Sequence, residues 1–315
     1  TEFWPGLSEA LRQPFSGRCG PAVMLIPRDL MTAEVGERPA DFSVSLADYQ
    51  VQPALPLALP LSVPLHAMWQ DLARARAPLL VVGAGVARAG AQALVEEWVN
   101  KTGVQVVTTF ACSNAFPQEH PQYLGMIGAA GHPSAHDFVE NEADFILAVG
   151  TQLRAMNRAT LEHALARKTL AVINVATDAL DSALKADHVI SLGAQAAMQT
   201  LLELQAIKPL HWNTITPDLR CQSLEEEALG ADVAEENGAG VRLHAAVVQL
   251  QAYLPRFRHL LFDAGNCATA AAHYLRMPAP MSTTIALGMG GMGYAIAGAV
   301  GAQLGETAGR TLVLG

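Results

Sequence analysis

Charge is scarce in this chain, and what there is leans acidic. Of 315 residues only 16% are charged, with 20 Lys and Arg against 29 Asp and Glu, for a formal net charge of −9. That balance speaks against nucleic acid as a partner, which a basic face would have to meet. Cysteine is scarce as well. Cys19, Cys112, Cys221 and Cys267 are scattered with no CxxC pair, which argues against a disulfide framework or a zinc ribbon and fits a reducing cytoplasm. The opening TEFWPGLSEA has no basic region ahead of an apolar core, so a secretory signal is not expected. Familiar catalytic signatures are missing too: there is no H-E-x-x-H, no G-x-S-x-G elbow and no cysteine–histidine motif. What the chain has in quantity is core-forming residues, 51% hydrophobic, over a length that suits about two domains. The expectation is a soluble α/β protein.

Apolar runs alternate with helical patterns through the middle of the chain. PLLVV from Pro78, VQVVTTF, ADFILAVGTQL (Ala143–Leu153), TLAVINVATD (Thr169–Asp178) and DHVISLGA read as buried strands, and AGAQALVEEWVNKTG reads as a helix with Leu94, Val95 and Trp98 on one face and Gly103 as its stop. Strands this uniformly apolar, separated by helices, describe a doubly wound parallel sheet of six strands covered on both faces. This central domain is expected over residues 77–195. Before it, PAVMLI (Pro21–Ile26) reads as a strand in a segment 1–35. A linker, 36–76, follows, whose prolines at 53, 56, 60 and 64 argue against an ordinary helix. After it, 196–240 reads as a linker with its most acidic part at Ser223–Gly240. From 241 a new α/β unit begins with helix VRLHAAVVQLQAYL, strand HLLFDAGN, a glycine-rich stretch and strand GRTLVLG. Both flanking units read as incomplete α/β domains.

Three glycine or histidine signals leave alternatives open. GAGV (Gly83–Val86) follows a strand, but its spacing is not the dinucleotide fingerprint and no acidic residue stands at the tip of the next strand. It is either a tight turn or a phosphate or adenylate contact. His132 and His136, at i and i+4, suit turn and capping roles better than a metal, which would need a third ligand. The stretch TTIALGMGGMGYAIAGAVGAQLG (Thr283–Gly305) holds seven glycines and five alanines with no charge. A membrane helix, a tight helix–helix contact and a cofactor cradle are the choices. Gln303, Glu306 and Arg310 bound it too closely for a membrane span, and no second span exists.

The order of these motifs resembles one family, the thiamine-diphosphate-dependent enzymes of the acetolactate synthase and benzoylformate decarboxylase type. GRCGPAVMLIPRDL (Gly17–Leu30) is similar to the signature closing the family's pyrimidine-binding domain. PLLVVGAGVARAGA, VVTTFACSNAFPQEHPQYLGMIG (Val106–Gly128) and ADFILAVGTQL are similar to its central domain. FDAGNCATAAAHYL and ALGMGGMGYAIAGAVGAQL are similar to the opening of its diphosphate-binding domain.

The resemblance implies a cofactor cradle. By motif position Gly265 and Asn266 would contact the diphosphate, with Cys267 where the family often has histidine. Gly288, Gly290 and Gly293 would let the backbone approach a flat ring, the carbonyl of Gly290 would receive the aminopyrimidine, and Met292 would prop the cofactor in its bent form. Asp263 would make a polar contact or cap the turn. Ala297 stands where the family usually has proline. The resemblance places the activating glutamate before Thr1 and the magnesium motif at or after Gly315, so no catalytic residue and no metal ligand is expected in this segment.

The activity implied for the whole protein is that of a transferase or lyase, a carboligase or decarboxylase acting on a small 2-oxo acid. Thiamine diphosphate and Mg2+ would be its cofactors, and the protein would be a cytoplasmic homodimer or homotetramer. Flavin (FAD) is not favoured, because the turn TQLRAMNRATL keeps Arg154 and Arg158 but lacks the family's aspartates. The alternative is a non-catalytic nucleotide-binding or assembly module on the same central fold.

Overall fold

A computed structural model describes residues 3–15, 22–40, 42, 59–176, 184–213, 242–278, 281–287, 290–305 and 309–315. The chain divides into two units, 1–58 and 59–315.

The first unit is small. Helix α1 (Phe3–Arg12) places Trp4 so that its indole N–H donates to the carbonyl of Gly36 at 2.8 Å, with the ring edge-on to Phe42 at 5.2 Å. The expected strand at PAVMLI is not formed: residues 22–27 are irregular, with Val23 80% and Leu25 87% exposed. An apolar run becomes a strand only when a neighbour satisfies its backbone groups, and no strand exists among the described residues of this unit.

The second unit opens with α2 (Leu59–Leu72), inside the stretch expected as a proline-rich, non-helical connector. Pro60 lies in the first turn, where an amide would have no partner in any case, and only Pro64 sits in the helix interior. Leu65, Met68, Trp69 and Leu72, at i, i+3, i+4 and i+7, are all at or below 3% exposure. Burying four such side chains, at about 1.5–3 kcal/mol each, outweighs the roughly 3 kcal/mol of one interior proline. Asp71 fixes the helix by accepting from His188 Nε2 at 2.9 Å.

Then follow β1 (Pro78–Val82), α3 (Ala84–Arg88), α4 (Gln92–Thr102), β2 (Gln105–Thr109), β3 (Tyr123–Ile127), α5 (Pro133–Asp137), β4 (Phe145–Val149), α6 (Ala155–Arg158), α7 (Glu162–Leu165), β5 (Thr169–Asn174), β6 (His188–Ser191) and α8 (Ala194–Ile207). The six strands form one parallel sheet in the order β3-β2-β1-β4-β5-β6, as the run of apolar strands predicts. The sixth strand, YLGMI, lay unread inside a motif. Every residue of β1 to β4 is buried. Leu79 and Val81 share a core with Ala135, Phe138 and Ala164.

Two aspartates pin the strand starts. Asp144 accepts from the amides of Arg76 and Ala77 at 2.8 and 3.0 Å, and Asp187 from Leu170 at 2.9 Å. Helix α8 runs into the stretch expected as a linker, with Ala197, Met198 and Leu201 fully buried. The acidic Ser223–Gly240 lies outside the described residues.

The last part contains α9 (Leu243–Gln249), β7 (Phe257–Phe262), α10 (Asn266–Tyr274), β8 (Ser282–Ile285), α11 (Tyr294–Gly305) and β9 (Arg310–Leu314). Helix α9 gives way to a 3-10 segment at Leu250, ahead of Pro255. The strands form a parallel sheet in the order β8-β7-β9. Phe262, Ala268, Ala271 and Leu275 centre its core, and a second cluster of Phe110, Met126, Ala130 and Ala272 joins it to the central sheet. Helix α11 packs on β7 and β9 yet buries only Ala295. Ile296, Val300 and Leu304 are 65%, 61% and 79% exposed.

Candidate cofactor-binding site

The glycine-rich stretch resolves into three parts: edge strand β8, an irregular loop, and α11. Residues 290–293 are not helical, and Gly290 and Gly293 have φ of +65° and +86°, values that favour glycine. Met292 lies in this loop, two residues ahead of α11, and is 87% exposed. This arrangement differs from a packed Ala/Gly helix, which would bury Met292 and continue through the glycines. Gly288 lies outside the described residues.

The other motif meets it at the same edge. At the C-terminal end of β7 the chain turns through Asp263, Ala264 and Gly265 (φ +149°) into α10. Gly265 and Asn266 are exposed at the start of this nine-residue helix and Cys267 is half-buried. A Cβ placed on Gly290 would stand 3.7 Å from the Cβ of Ala264, so the two loops are neighbours, while Gly265, Gly291 and Gly293 face open space. All expected site residues that are described therefore gather at the C-terminal edge of one parallel sheet.

What joins the two loops is Asp263. It is only 5% exposed; its Oδ2 accepts from the amide of Gly293 at 2.6 Å and its Oδ1 from that of Ala295 at 2.7 Å. Of the two roles left open, a polar contact is the one observed: Asp263 caps not its own turn but the start of α11, thirty residues further on. A carboxylate is well matched to the positive end of a helix. No local spacing rule could have shown this, because the partners come from different elements.

The other signals have structural employment. Gly83 and Gly85 run so close to the turn after β4 that a Cβ on Gly83 would meet the carbonyl oxygen of Gly150 at 2.5 Å, and one on Gly85 its Cα at 2.8 Å. Gly85 also donates to the Gly150 carbonyl at 2.9 Å. Close crossing, the tight-turn reading, explains these glycines. Arg158 is 6% exposed, with Nη1 donating to the carbonyl of Leu153 at 3.1 Å and Nε 3.3 Å from Glu162; Arg154 is exposed.

His132 and His136 each accept a backbone hydrogen bond. Nδ1 of His132 accepts from the amide of Met126 at 2.9 Å, and Nε2 of His136 from that of Gly128 at 3.3 Å. Among the described residues no group of three or more His, Cys, Asp or Glu could hold a metal ion, and no helix is long and apolar enough to cross a membrane. Cys112 is buried, which pushes its thiol up to about 11.

Three contacts between the sheets were invisible to motif reading. Asn114 Nδ2 donates to the carbonyl of Met281 at 2.6 Å while its Oδ1 accepts from Thr283 at 2.9 Å. Gln118 Oε1 accepts from the amide of Met277 at 2.7 Å. The third is a histidine pair, His132 with His273, its rings stacked at 4.5 Å.

Comparison with known proteins agrees with the geometry. Residues 65–204 match the family model of the thiamine pyrophosphate enzyme central domain, and residues 263–314 that of the thiamine pyrophosphate enzyme C-terminal TPP-binding domain. The chain is 27% identical over 303 residues to the acetolactate synthase isozyme 2 large subunit of Escherichia coli (strain K12), covering 95% of this chain and 51% of that protein. It is 26% identical over 305 residues to the acetolactate synthase large subunit of Lactococcus lactis, covering 95% and 50%. Over a shorter span of 147 residues it is 32% identical to the acetolactate synthase of Arthrospira platensis, covering 46% and 24%. The chain spans about half the length of the first two relatives.

Proposed function

Since this chain belongs to the thiamine-diphosphate-dependent enzymes of the acetolactate synthase type, we propose that its protein is a carboligase or decarboxylase acting on a small 2-oxo acid. The observation that carries this reading is the paired-loop edge of the second sheet. Two glycine-containing loops, with open space before them, are tied to one buried carboxylate.

The residues present fit thiamine diphosphate. The backbone amides at Gly265 and Asn266, at the N-terminus of α10, would hold the diphosphate, where helix ends favour anions, with Cys267 beside them. Gly288, Gly290 and Gly293 would let the loop approach the pyrimidine ring, Gly290 would offer its carbonyl, and Met292 would support the cofactor from the loop. Bound there, the cofactor supplies the nucleophilic carbon that lets a 2-oxo acid lose carbon dioxide. The chain's own task is to orient it and keep water away.

Magnesium enters this reading through the family. Flavin is not favoured, because Arg158 is turned inward onto Leu153 and Glu162. A cytoplasmic homodimer or homotetramer completes the proposal, with a central domain that takes in α2 and α8. Relatives named acetolactate synthases support a catalytic protein over an assembly module of the same fold.

The test is calorimetric titration of the intact protein with thiamine diphosphate and Mg2+, followed by an assay for carbon dioxide and acetolactate from pyruvate, with other 2-oxo acids in parallel. Saturable binding with carbon dioxide release supports the reading. Binding without release from any 2-oxo acid refutes the catalytic part, and no binding refutes the whole.

A further inference from the structure

His132 stands at the N-cap position of α5 beside the central sheet, and His273 lies in the last turn of α10, the helix whose start carries Gly265 and Asn266. Both are buried, at 1% and 4% exposure, and their rings stack 4.5 Å apart at 11°. Each ring donates to backbone across the contact: His132 Nε2–H to the carbonyl of His273 at 2.9 Å, and His273 Nδ1–H to that of Ala130 at 3.0 Å. The second nitrogen of His132 is committed as an acceptor from the Met126 amide. That bond fixes one tautomer and requires a neutral ring, since a proton on Nδ1 would face the amide hydrogen.

The charged and titratable groups around the pair do not offset a positive charge. Arg276 acts on both rings, His136 of α5 faces His132, and Glu140 bears on His136. His244 of α9 reaches the cluster through Tyr274, which lies edge-on to His273 at 4.6 Å.

We propose that the stacked histidines form an acid-sensitive latch, docking α10 and its sheet onto the central sheet while both rings are neutral and releasing them when the rings take up protons. Burial first, then the neighbouring His273, push His132 down to about 3, and His136 and His273 are also lowered, chiefly by burial. Docked rings therefore resist protons that undocked rings, with an ordinary value near 6.5, would accept. Docking is at full strength above about pH 6.5 and weakens as pH falls below it. The latch does not depend on the identity of the cofactor.

Hydrogen exchange of the 315-residue chain, corrected for the intrinsic effect of pH, tests this at pH 7 and pH 5. His132, held at about 3 when docked and near 6.5 when free, favours the open state about 25-fold more at pH 5 than at pH 7, and the lowered His273 adds to this in the same direction. Peptides over 123–136 and 266–277 should lose protection by at least that factor, while those from β1 and β4 keep theirs. The variant His273→Gln, whose amide can still donate to Ala130, should show a weaker pH dependence than wild type. Unchanged protection at pH 5 overturns the latch. So does loss of protection in β1 and β4 together with the latch peptides, or equal pH dependence in wild type and variant.

Discussion

Replacing Asp263 by alanine removes the carboxylate that bonds the β7 turn to the start of α11. Its carboxylate accepts two short backbone bonds at 2.6 and 2.7 Å, and bonds to a charged group contribute about 1.5–3 kcal/mol each. The two are not equal. Gly293 is exposed, so water can take over its amide, whereas Ala295 is fully buried and its amide would be stranded, at about 1–3 kcal/mol. Together the loss is about 3–4 kcal/mol, or roughly two to three orders of magnitude in the opening equilibrium of α11. The effect should be local, because α11 buries only Ala295 and has little other packing to hold it. Hydrogen exchange of a peptide over 290–305 measures it directly. In Asp263→Ala that peptide should lose protection by about 10²–10³-fold, Asp263→Asn should fall between variant and wild type, and peptides from β1 to β4 should not change. Protection of α11 equal to wild type would refute the capping argument, and parallel loss across the central sheet would show that Asp263 supports the whole unit instead.

Met292→Ala should leave the melting temperature within about a degree, because an 87% exposed side chain contributes little to stability. In the intact protein it should lower turnover at least tenfold, about 1.4 kcal/mol of barrier; unchanged turnover would remove Met292 from the proposed site. Gly83→Ala should destabilise the chain by about 1–3 kcal/mol in urea unfolding, since its methyl would meet the Gly150 carbonyl. Gly265→Ala should weaken thiamine diphosphate binding measured by calorimetry, because φ of +149° strains an L-residue by about 1–3 kcal/mol. At pH 8, native Cys112 should react with iodoacetamide about a hundredfold more slowly than in urea, given a thiol raised from 9.0 to about 11.

The central sheet was legible because its strands are apolar on both faces, a pattern few other structures need. Of the four edge strands, β6 in DHVISLGA and β9 in GRTLVLG were legible too, but β8 and β3 were not. STTI in β8 is polar and partly exposed, and YLGMI was hidden by the motif around it. The opposite failure, PAVMLI, has strand composition but no strand to pair with among the described residues of its unit, and composition cannot supply one. Helix α2 carried a readable i, i+3, i+4, i+7 stripe from Leu65 to Leu72, which its prolines outweighed in the reading. The candidate site was legible as a list of residues through family resemblance. Its construction was not, because the bonds that assemble it join positions thirty residues apart, as Asp263 does with Gly293, or more than a hundred, as His132 does with His273.

In open parallel sheets a ligand crevice forms where the strand order reverses, here between β1 and β4. At this place the turns carrying Gly83, Gly85 and Gly150 lie backbone against backbone, so the chain occupies its own cleft floor. Anything resting on that edge would sit on peptide groups rather than sink between strands. The peptide groups that cross there tie the two halves of the central sheet together, and the smaller sheet is set against it through Phe110, Met126, Ala130 and Ala272.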